Sequence, residues 1–161
     1  PGLVRADEYD AISQLPLVQQ TLEKMETANI VFTTVSEITP DISDIEVILR
    51  RVKIGTSPQI HKYIQRIKPH QPVGLLAARP FNIKGEIFDD DHPVVKPPWR
   101  YVGFNVKRLR KLVRDRTGKV VVVTGAESSR VQPLIGLLNG ELVSTLVTDS
   151  VTAEQILQSS L

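Results

Sequence analysis

Apolar residues recur along the chain with two spacings, one typical of helices and one typical of strands. In residues 7–28 they stand three and four positions apart, from Leu15 to Met25, which predicts a helix with Pro16 in a first helical turn. The β-branched and aromatic run at 30–35 predicts a buried strand. The chain therefore opens with a helix followed by a strand.

Prolines and turn residues divide the middle of the chain. Residues 36–55, where Pro40 interrupts the apolar pattern, predict a loop and a short helix or strand. Thr56 and Pro58 stand where an N-cap and a first-turn proline are expected, and they predict a helix through Ile67.

A hairpin and an irregular segment follow that helix. Residues 72–79 predict a strand, and 82–85 a turn in which Gly85 takes a positive φ before a second strand at 86–88. The prolines within 89–98 are too closely spaced for a helix or a strand, so this segment is predicted to be a surface excursion.

The last third of the chain alternates regularly between strands and helices. Such alternation indicates parallel strands joined by crossover helices, and ligands of such sheets bind beyond the carboxyl ends of the strands. We predict an α/β fold with a mostly parallel sheet and a β-hairpin insertion. The predicted strands are 101–104, 119–124 and 142–147, and the predicted helices are 106–113, 129–138 and 152–157.

Composition narrows the class of protein. With 161 residues and 5% aromatics, the chain suits one domain in which helices cover a sheet. It contains no cysteine, no apolar run of about 18 residues and no signal pattern, so we expect a cytoplasmic protein without a membrane partner. Because it begins at Pro1 and its sole methionine is Met25, we interpret it as a piece of a longer chain.

Two predicted strand ends carry candidate ligand-binding residues. After the strand at 119–124, small residues would let backbone N–H groups approach an anion, and Arg130 would add a bidentate phosphate contact. After the strand at 142–147, Thr148 and Asp149 would contact ligand hydroxyls. An ordinary βα turn and an ordinary helix cap explain the same patterns. The first group comprises Thr124, Gly125, Ala126, Ser128 and Arg130.

Other candidates for chemistry are weaker. The cluster from Asp89 to His92 contains metal-ligand types, but we favour a solvated turn and predict no metal site. His61 and His70 have no evident catalytic partner. Basic residues at 100–119 suit the solvated face of a helix better than a DNA contact, and the net charge is only +2. Glycine-rich nucleotide loops, the GxSxG elbow and the HExxH motif are absent from the sequence, and we predict no cofactor.

Several motifs together resemble the sugar-binding domain of SorC-type (DeoR/SorC) bacterial transcriptional regulators. The carboxyl-terminal half resembles that family in the turn 124–126, in Arg130 where the family has a lysine, and in the step 146–149. Residues 101–104 and 72–86 resemble its Val-Gly-Ile strand and its hairpin, and Pro1-Gly2-Leu3-Val4 resembles its Pro-Gly-Leu-Val. The resemblance covers nearly the whole chain, without the family's amino-terminal part.

The resemblance implies a NagB/RpiA-like fold that senses a phosphorylated sugar, forms homo-oligomers and reaches DNA through a helix-turn-helix domain absent from this chain. Thr33 and Thr34 replace a family Gly-Ile-Gly turn and join the candidate ligand contacts, while Leu75 replaces an acid. Two alternatives stay open. In the first alternative, the domain has lost its effector and serves partner binding. In the second, it is an enzyme similar to sugar-phosphate isomerases. We favour neither and expect no catalytic residues.

Overall fold

The computed structural model describes residues 2–39, 43–51, 54–125 and 128–159. Within these ranges, strands and helices form one mixed α/β arrangement. In chain order the elements are β1 (Gly2–Arg5), α1 (Tyr9–Ser13), α2 (Pro16–Thr27), β2 (Ile30–Thr33), β3 (Val35–Glu37), α3 (Ser43–Arg51), α4 (Ser57–Ile67), β4 (Pro72–Leu76), β5 (Arg79–Asn82), β6 (Trp99–Val102), α5 (Val106–Arg114), β7 (Lys119–Val123), α6 (Val131–Asn139), β8 (Thr145–Val147) and α7 (Ser150–Ser159).

A three-stranded parallel sheet in the order β2-β7-β8 confirms the predicted fold class. Val31 pairs with Val120, and Val122 pairs with Leu146. The consecutive valines of β7 suit a central parallel strand, because both neighbours hold its backbone. Helix α6 connects β7 to β8 as the alternation predicted.

The chain turns twice in this region, where the sequence predicted one turn. β4 and β5 pair through Leu75 and Pro80 around a turn at Ala77 and Ala78, whose φ angles are 49° and 65°. The predicted turn at 82–85 follows β5 and brings Ile87 back only as an isolated bridge to Phe81. β3 pairs antiparallel with β4, so this second sheet has the order β3-β4-β5.

The strand predicted at 101–104 does not belong to the parallel sheet. It begins at Trp99 and pairs antiparallel with β1, Leu3 lying opposite Tyr101. The prediction of parallel pairing was wrong here because the partner, β1, is an exposed strand of four residues at the start of the chain. No periodicity distinguishes so short an element from a loop.

The helices agree better with the sequence pattern. Residues predicted as one helix form α1 and α2, and Pro16 occupies the first turn of α2. Thr56 and Gln59 make a capping box at the start of α4, as the Thr-Ser-Pro signal indicated. In 36–55, where the pattern left helix or strand open, residues 36–37 end β3 and Ser43–Arg51 form helix α3.

Two hydrophobic clusters hold the elements together. One joins the parallel sheet to α5, α6 and α7 and includes Val120, Leu112 and Leu137. The other joins α3 and α4 to β4 and β6 and includes Trp99 and Tyr63, whose ring centroids lie 4.8 Å apart. Buried side chains of this kind supply the largest favourable contribution to folding.

The segment 89–98 is irregular, as predicted, but its centre is buried. His92 is 6% exposed, and its Nε2 lies 3.0 Å from Glu86 Oε1. Its Nδ1 accepts hydrogen bonds from the backbone N–H groups of Val94 and Val95. The ring therefore organises the loop in the tautomer that carries its proton on Nε2.

The basic segment 100–119 contributes internal contacts. Arg100 Nε lies 2.7 Å from Asp90 Oδ2, and Arg110 donates to the carbonyl oxygens of Gly85 and Gly140.

Within the described part of the chain, no helix combines the length and the apolar character that a membrane span requires.

Candidate functional site

The carboxyl ends of the three parallel strands meet at one edge of the sheet. Thr33 at the end of β2 lies opposite Val122, and Val123 at the end of β7 lies opposite Val147. The Thr124 N–H donates to the Val147 carbonyl oxygen at 3.1 Å. The two strand ends singled out in the sequence and the end of β2 are therefore neighbours, at the edge where parallel sheets bind their ligands.

Arg130 is the last residue of a single helical turn at Ser128–Arg130 and the N-cap of α6. Its Nη1 donates to Thr124 Oγ1 at 3.0 Å, and its Nε lies 3.6 Å from Glu37 Oε2. About a quarter of the Arg130 side chain, 26%, stays exposed. The guanidinium is thus positioned from two sides, by the end of β7 and by β3, and remains accessible.

Asp149 caps α7. Its Oδ1 accepts from the Thr152 N–H at 3.0 Å, its Oδ2 accepts from Thr152 Oγ1 at 2.8 Å, and its carbonyl oxygen accepts from the Ala153 N–H. These hydrogen bonds, above all the one from the Thr152 backbone, hold the pKa of the Asp149 carboxyl below its usual range. The carboxylate stays ionised at neutral pH and is already engaged with the helix end.

The remaining candidates differ in their surroundings. The Thr33 hydroxyl donates to the Thr34 carbonyl oxygen at 3.2 Å. A Cβ at Gly125 would meet no heavy atom of the described residues within 4 Å. Ser128 belongs to the turn before α6, while Ala126 lies outside the described residues. Leu75 is buried in the second hydrophobic cluster and pairs with Ser36 of β3.

Glu37 is a site residue that the sequence did not reveal. It ends β3 and places a carboxylate beside Arg130, yet its Oε2 is buried and accepts no hydrogen bond. A lone glutamate after a predicted strand carries no distinguishing signal. Only the folded chain shows that two residues more than ninety positions apart in sequence become an ion pair.

A cavity of about 660 Å³ opens beside this ion pair, between the end of β3, the start of β4 and the first turn of α6. Its volume lies within the range of small-molecule sites. Pro72 and Pro133 are buried and provide apolar walls, while the polar side chains are more exposed. The lining includes Glu37, Gln71, Pro72, Ser129, Gln132 and Pro133.

Metal-ligand chemistry finds little support in the described residues, where no group of three or more His, Asp or Glu side chains could hold an ion. Asp89, the first of the four residues in the suspected cluster, has its Oδ2 3.9 Å from Arg79 Nε, and burial raises the pKa of its carboxyl. The Asp89 carboxylate therefore pairs with an arginine of the same chain.

The fold and this site define a known class of domain. Residues 1–158 match the family described as "Putative sugar-binding domain", and the chain belongs to that family. The match covers nearly the whole chain and confirms the resemblance drawn from the motifs.

Solved structures with the same fold are transcriptional regulators. One from Streptococcus pneumoniae TIGR4 has a TM-score of 0.68 over 99% of this chain at 16% identity. A DeoR family regulator from Listeria monocytogenes has a TM-score of 0.66 over 97% at 22% identity. The full-length sorbitol operon regulator SorC from Klebsiella pneumoniae has a TM-score of 0.63 over 92% at 16% identity.

These regulators are longer than the chain. The aligned part is 54% of the Streptococcus protein, 56% of the Listeria protein and 41% of the Klebsiella protein, so the chain spans about half the length of the structures it resembles. Among curated proteins, none matches the sequence significantly.

Proposed function

We propose that this chain is the effector-binding part of a SorC-type transcriptional regulator and that its effector is a phosphorylated sugar. The observation that carries the proposal is the position of Arg130, at the entrance of α6 and at the carboxyl edge of the parallel sheet. The proposal contains no catalytic step.

Electrostatics favour an anion at this position. The amino-terminal end of a helix carries a partial positive charge and free N–H donors, so a cation there is unfavourable unless a negative group accompanies it. In this structure Glu37 is that group, at 3.6 Å and without a hydrogen bond from Arg130 Nε to Oε2. A phosphate offers more acceptor oxygens, and arginine binds phosphate in a bidentate manner.

Regulation would follow from unequal affinity. An effector shifts a regulator between two states only by the difference in its affinity for them. In the proposed protein, phosphate binding beside β3 and α6 favours one oligomeric arrangement of the sugar-binding domain. A separate DNA-binding domain of the longer protein then reads that arrangement.

The test is thermal unfolding of the chain with phosphorylated sugars. A ligand at about 100 times its dissociation constant stabilises the fold by roughly 2.7 kcal/mol, which gives a readily measured rise in melting temperature. We expect this rise for at least one sugar phosphate in the wild type, its loss in Arg130→Ala and its partial retention in Arg130→Lys. Arg66→Ala, which removes an exposed arginine of α4, is the matched control.

A second candidate function, partner binding without an effector, is favoured by Leu75 and by one face of the parallel sheet. Leu75 buries an apolar side chain where the resembling family has an acid. Phe32, 73% exposed, and Val123 and Val147 project from the sheet, and exposed apolar surface of this kind marks interaction sites. Self-association in sedimentation velocity, together with no response to any sugar phosphate, would favour this function.

A further inference from the structure

We infer that the cavity beside Glu37 binds the hydroxylated carbon chain of the effector, and that Glu37 selects for it. The inference rests on the proposed function and extends it from the phosphate to the rest of the ligand. It assigns specificity to residues for which the sequence suggested no role: Glu37, Gln71 and Gln132.

Glu37 joins the two parts of the site. It lines the cavity, and its Oε2 lies 3.6 Å from Arg130 Nε. The Glu37 side chain keeps 37% of its surface exposed, while Oε2, the oxygen that approaches the guanidinium, is buried. A ligand whose phosphate contacts Arg130 therefore extends directly past Glu37 into the cavity.

The carboxylate has unused acceptor capacity. Glu37 Oε2 is buried and accepts no hydrogen bond, and a buried polar atom in that condition is costly. Ionised carboxylates accept two or more hydrogen bonds, which matches the neighbouring hydroxyls of a sugar. A phosphate bound to Arg130 also weakens the ion pair between Arg130 and Glu37. The carboxylate then becomes available to the ligand hydroxyls.

The other walls suit the same ligand class. Gln71 and Gln132 carry amides that both donate and accept hydrogen bonds, as a hydroxyl requires of its partners. Buried Pro72 and Pro133 present apolar surface to the C–H faces of a sugar. Gln71 has a left-handed backbone, φ 50° and ψ 60°, which an ordinary residue adopts only when its surroundings hold it there.

Charge distinguishes this arrangement from simple anion binding. Glu37 attracts hydroxyls but repels phosphate, so removing its charge should have opposite effects on two ligands. A phosphate monoester without hydroxyls should bind Glu37→Gln as well as the wild type or better. A sugar phosphate should lose the hydrogen bonds to a charged acceptor, which correspond to roughly 10- to 100-fold in affinity.

The experiment compares the affinities of ethyl phosphate and of hexose and pentose phosphates by calorimetry, in the wild type, Glu37→Gln and Gln132→Ala. Glu23→Gln and Gln20→Ala, both exposed on α2, are the matched controls. We expect the wild type and the controls to prefer one sugar phosphate over ethyl phosphate by about tenfold or more, and both cavity variants to lose most of this preference. Circular dichroism checks that each variant is folded.

The outcomes separate the inference from the proposed function. If the wild type binds ethyl phosphate and sugar phosphates equally, or if both cavity variants keep the sugar preference, the cavity assignment is wrong while phosphate binding stands. If neither kind of phosphate binds the wild type, the proposed function fails, and the inference fails with it.

Discussion

Arg130 and Asp149 show how differently two charged residues at one sheet edge are used. Arg130 is held by Thr124 and Glu37 yet stays accessible, whereas the Asp149 carboxylate accepts two hydrogen bonds from Thr152. The Asp149 carboxylate, whose oxygens already accept hydrogen bonds from its own helix, is a weaker ligand contact than the partly exposed Arg130 guanidinium. We therefore propose Arg130 as the phosphate contact and assign Asp149 to the cap of α7.

Replacing Asp149 tests that assignment. Asp149→Ala removes the acceptor for the Thr152 N–H and for a hydroxyl that is almost fully buried, so we expect a melting temperature lower by a few degrees. Asp149→Asn keeps an acceptor and should lose less. Because the pKa of Asp149 is lowered in the folded state, its contribution is present above the unfolded pKa and is lost as pH falls through the folded pKa.

Thermal melts of both variants between pH 2 and pH 7 provide the measurement, with exposed Asp10→Ala as the control. The assignment to the cap is contradicted if Asp149→Ala melts like the control. It is incomplete if Asp149→Asn is stable but loses its response to sugar phosphate.

The sequence predicted part of this site for a clear physical reason. Small residues after a strand and an arginine at a helix start are local features, and local features survive in a linear pattern. Glu37 acquires its meaning only when β3 packs beside the start of α6, and that packing depends on tertiary contacts. The cavity is invisible in the sequence for the same reason.

At the scale of elements, Gly85 and Gly140 bring two loops together. A Cβ at Gly85 would lie 2.2 Å from the Gly140 Cα, and Gly85 has a φ of +75°. Arg110 donates to the carbonyl oxygens of both glycines and joins α5 to this contact. The loop after β5 and the end of α6 are thus fixed backbone to backbone.

We expect Gly85→Ala to lower the free energy of unfolding by more than about 1 kcal/mol, since the backbone strain alone is of that order and the clash adds to it. Gly125→Ala is the control, because a Cβ there meets nothing within 4 Å. Urea denaturation of the two variants gives the comparison. Equal stability of both would show that the loops move apart at little cost.

The hairpin illustrates where element prediction fails. Glycine is the residue expected at positive φ, so the turn was assigned to Gly85. The chain does turn there, and Gly85 has a φ of +75°. A further turn that the sequence did not indicate lies at Ala77 and Ala78, and Arg79 supports it by donating to the Ala77 carbonyl oxygen. The Arg79 guanidinium in turn lies 4.2 Å from the Tyr101 ring centroid. A tertiary stack therefore accompanies a turn that forms without glycine, and the local pattern could not reveal that turn.

At the scale of the whole molecule, the two tyrosines buried in the second hydrophobic cluster make the fold less stable at alkaline pH. Burial raises the pKa of Tyr101 to about 12 and that of Tyr63 well above its ordinary value. Since the folded pKa values are raised, stability is complete below the unfolded pKa, near 10, and is lost as pH rises through the folded values.

We expect the free energy of unfolding to fall between pH 10 and pH 12 by about 1.4 kcal/mol per pH unit for each buried tyrosine. Tyr101→Phe should reduce that slope, because it removes one of the two buried hydroxyls that ionise; this hydroxyl donates to the Ala78 carbonyl oxygen at 3.4 Å. Urea denaturation followed by circular dichroism at each pH measures the slope. An unchanged slope in Tyr101→Phe would contradict the expectation.

The pairing of β1 with β6 and of β2 with β7 has a consequence for biosynthesis. Leu3 and Tyr101 are about a hundred positions apart, and Val31 and Val120 about ninety. Neither the β1-β6 pair nor the β2-β7 pair can form on the ribosome until residues beyond about 100 have emerged. Closing such long loops is then slow. During that interval Ile30 and Phe32 form part of an unpaired apolar strand, and nascent chains are most exposed to aggregation and to chaperone capture there.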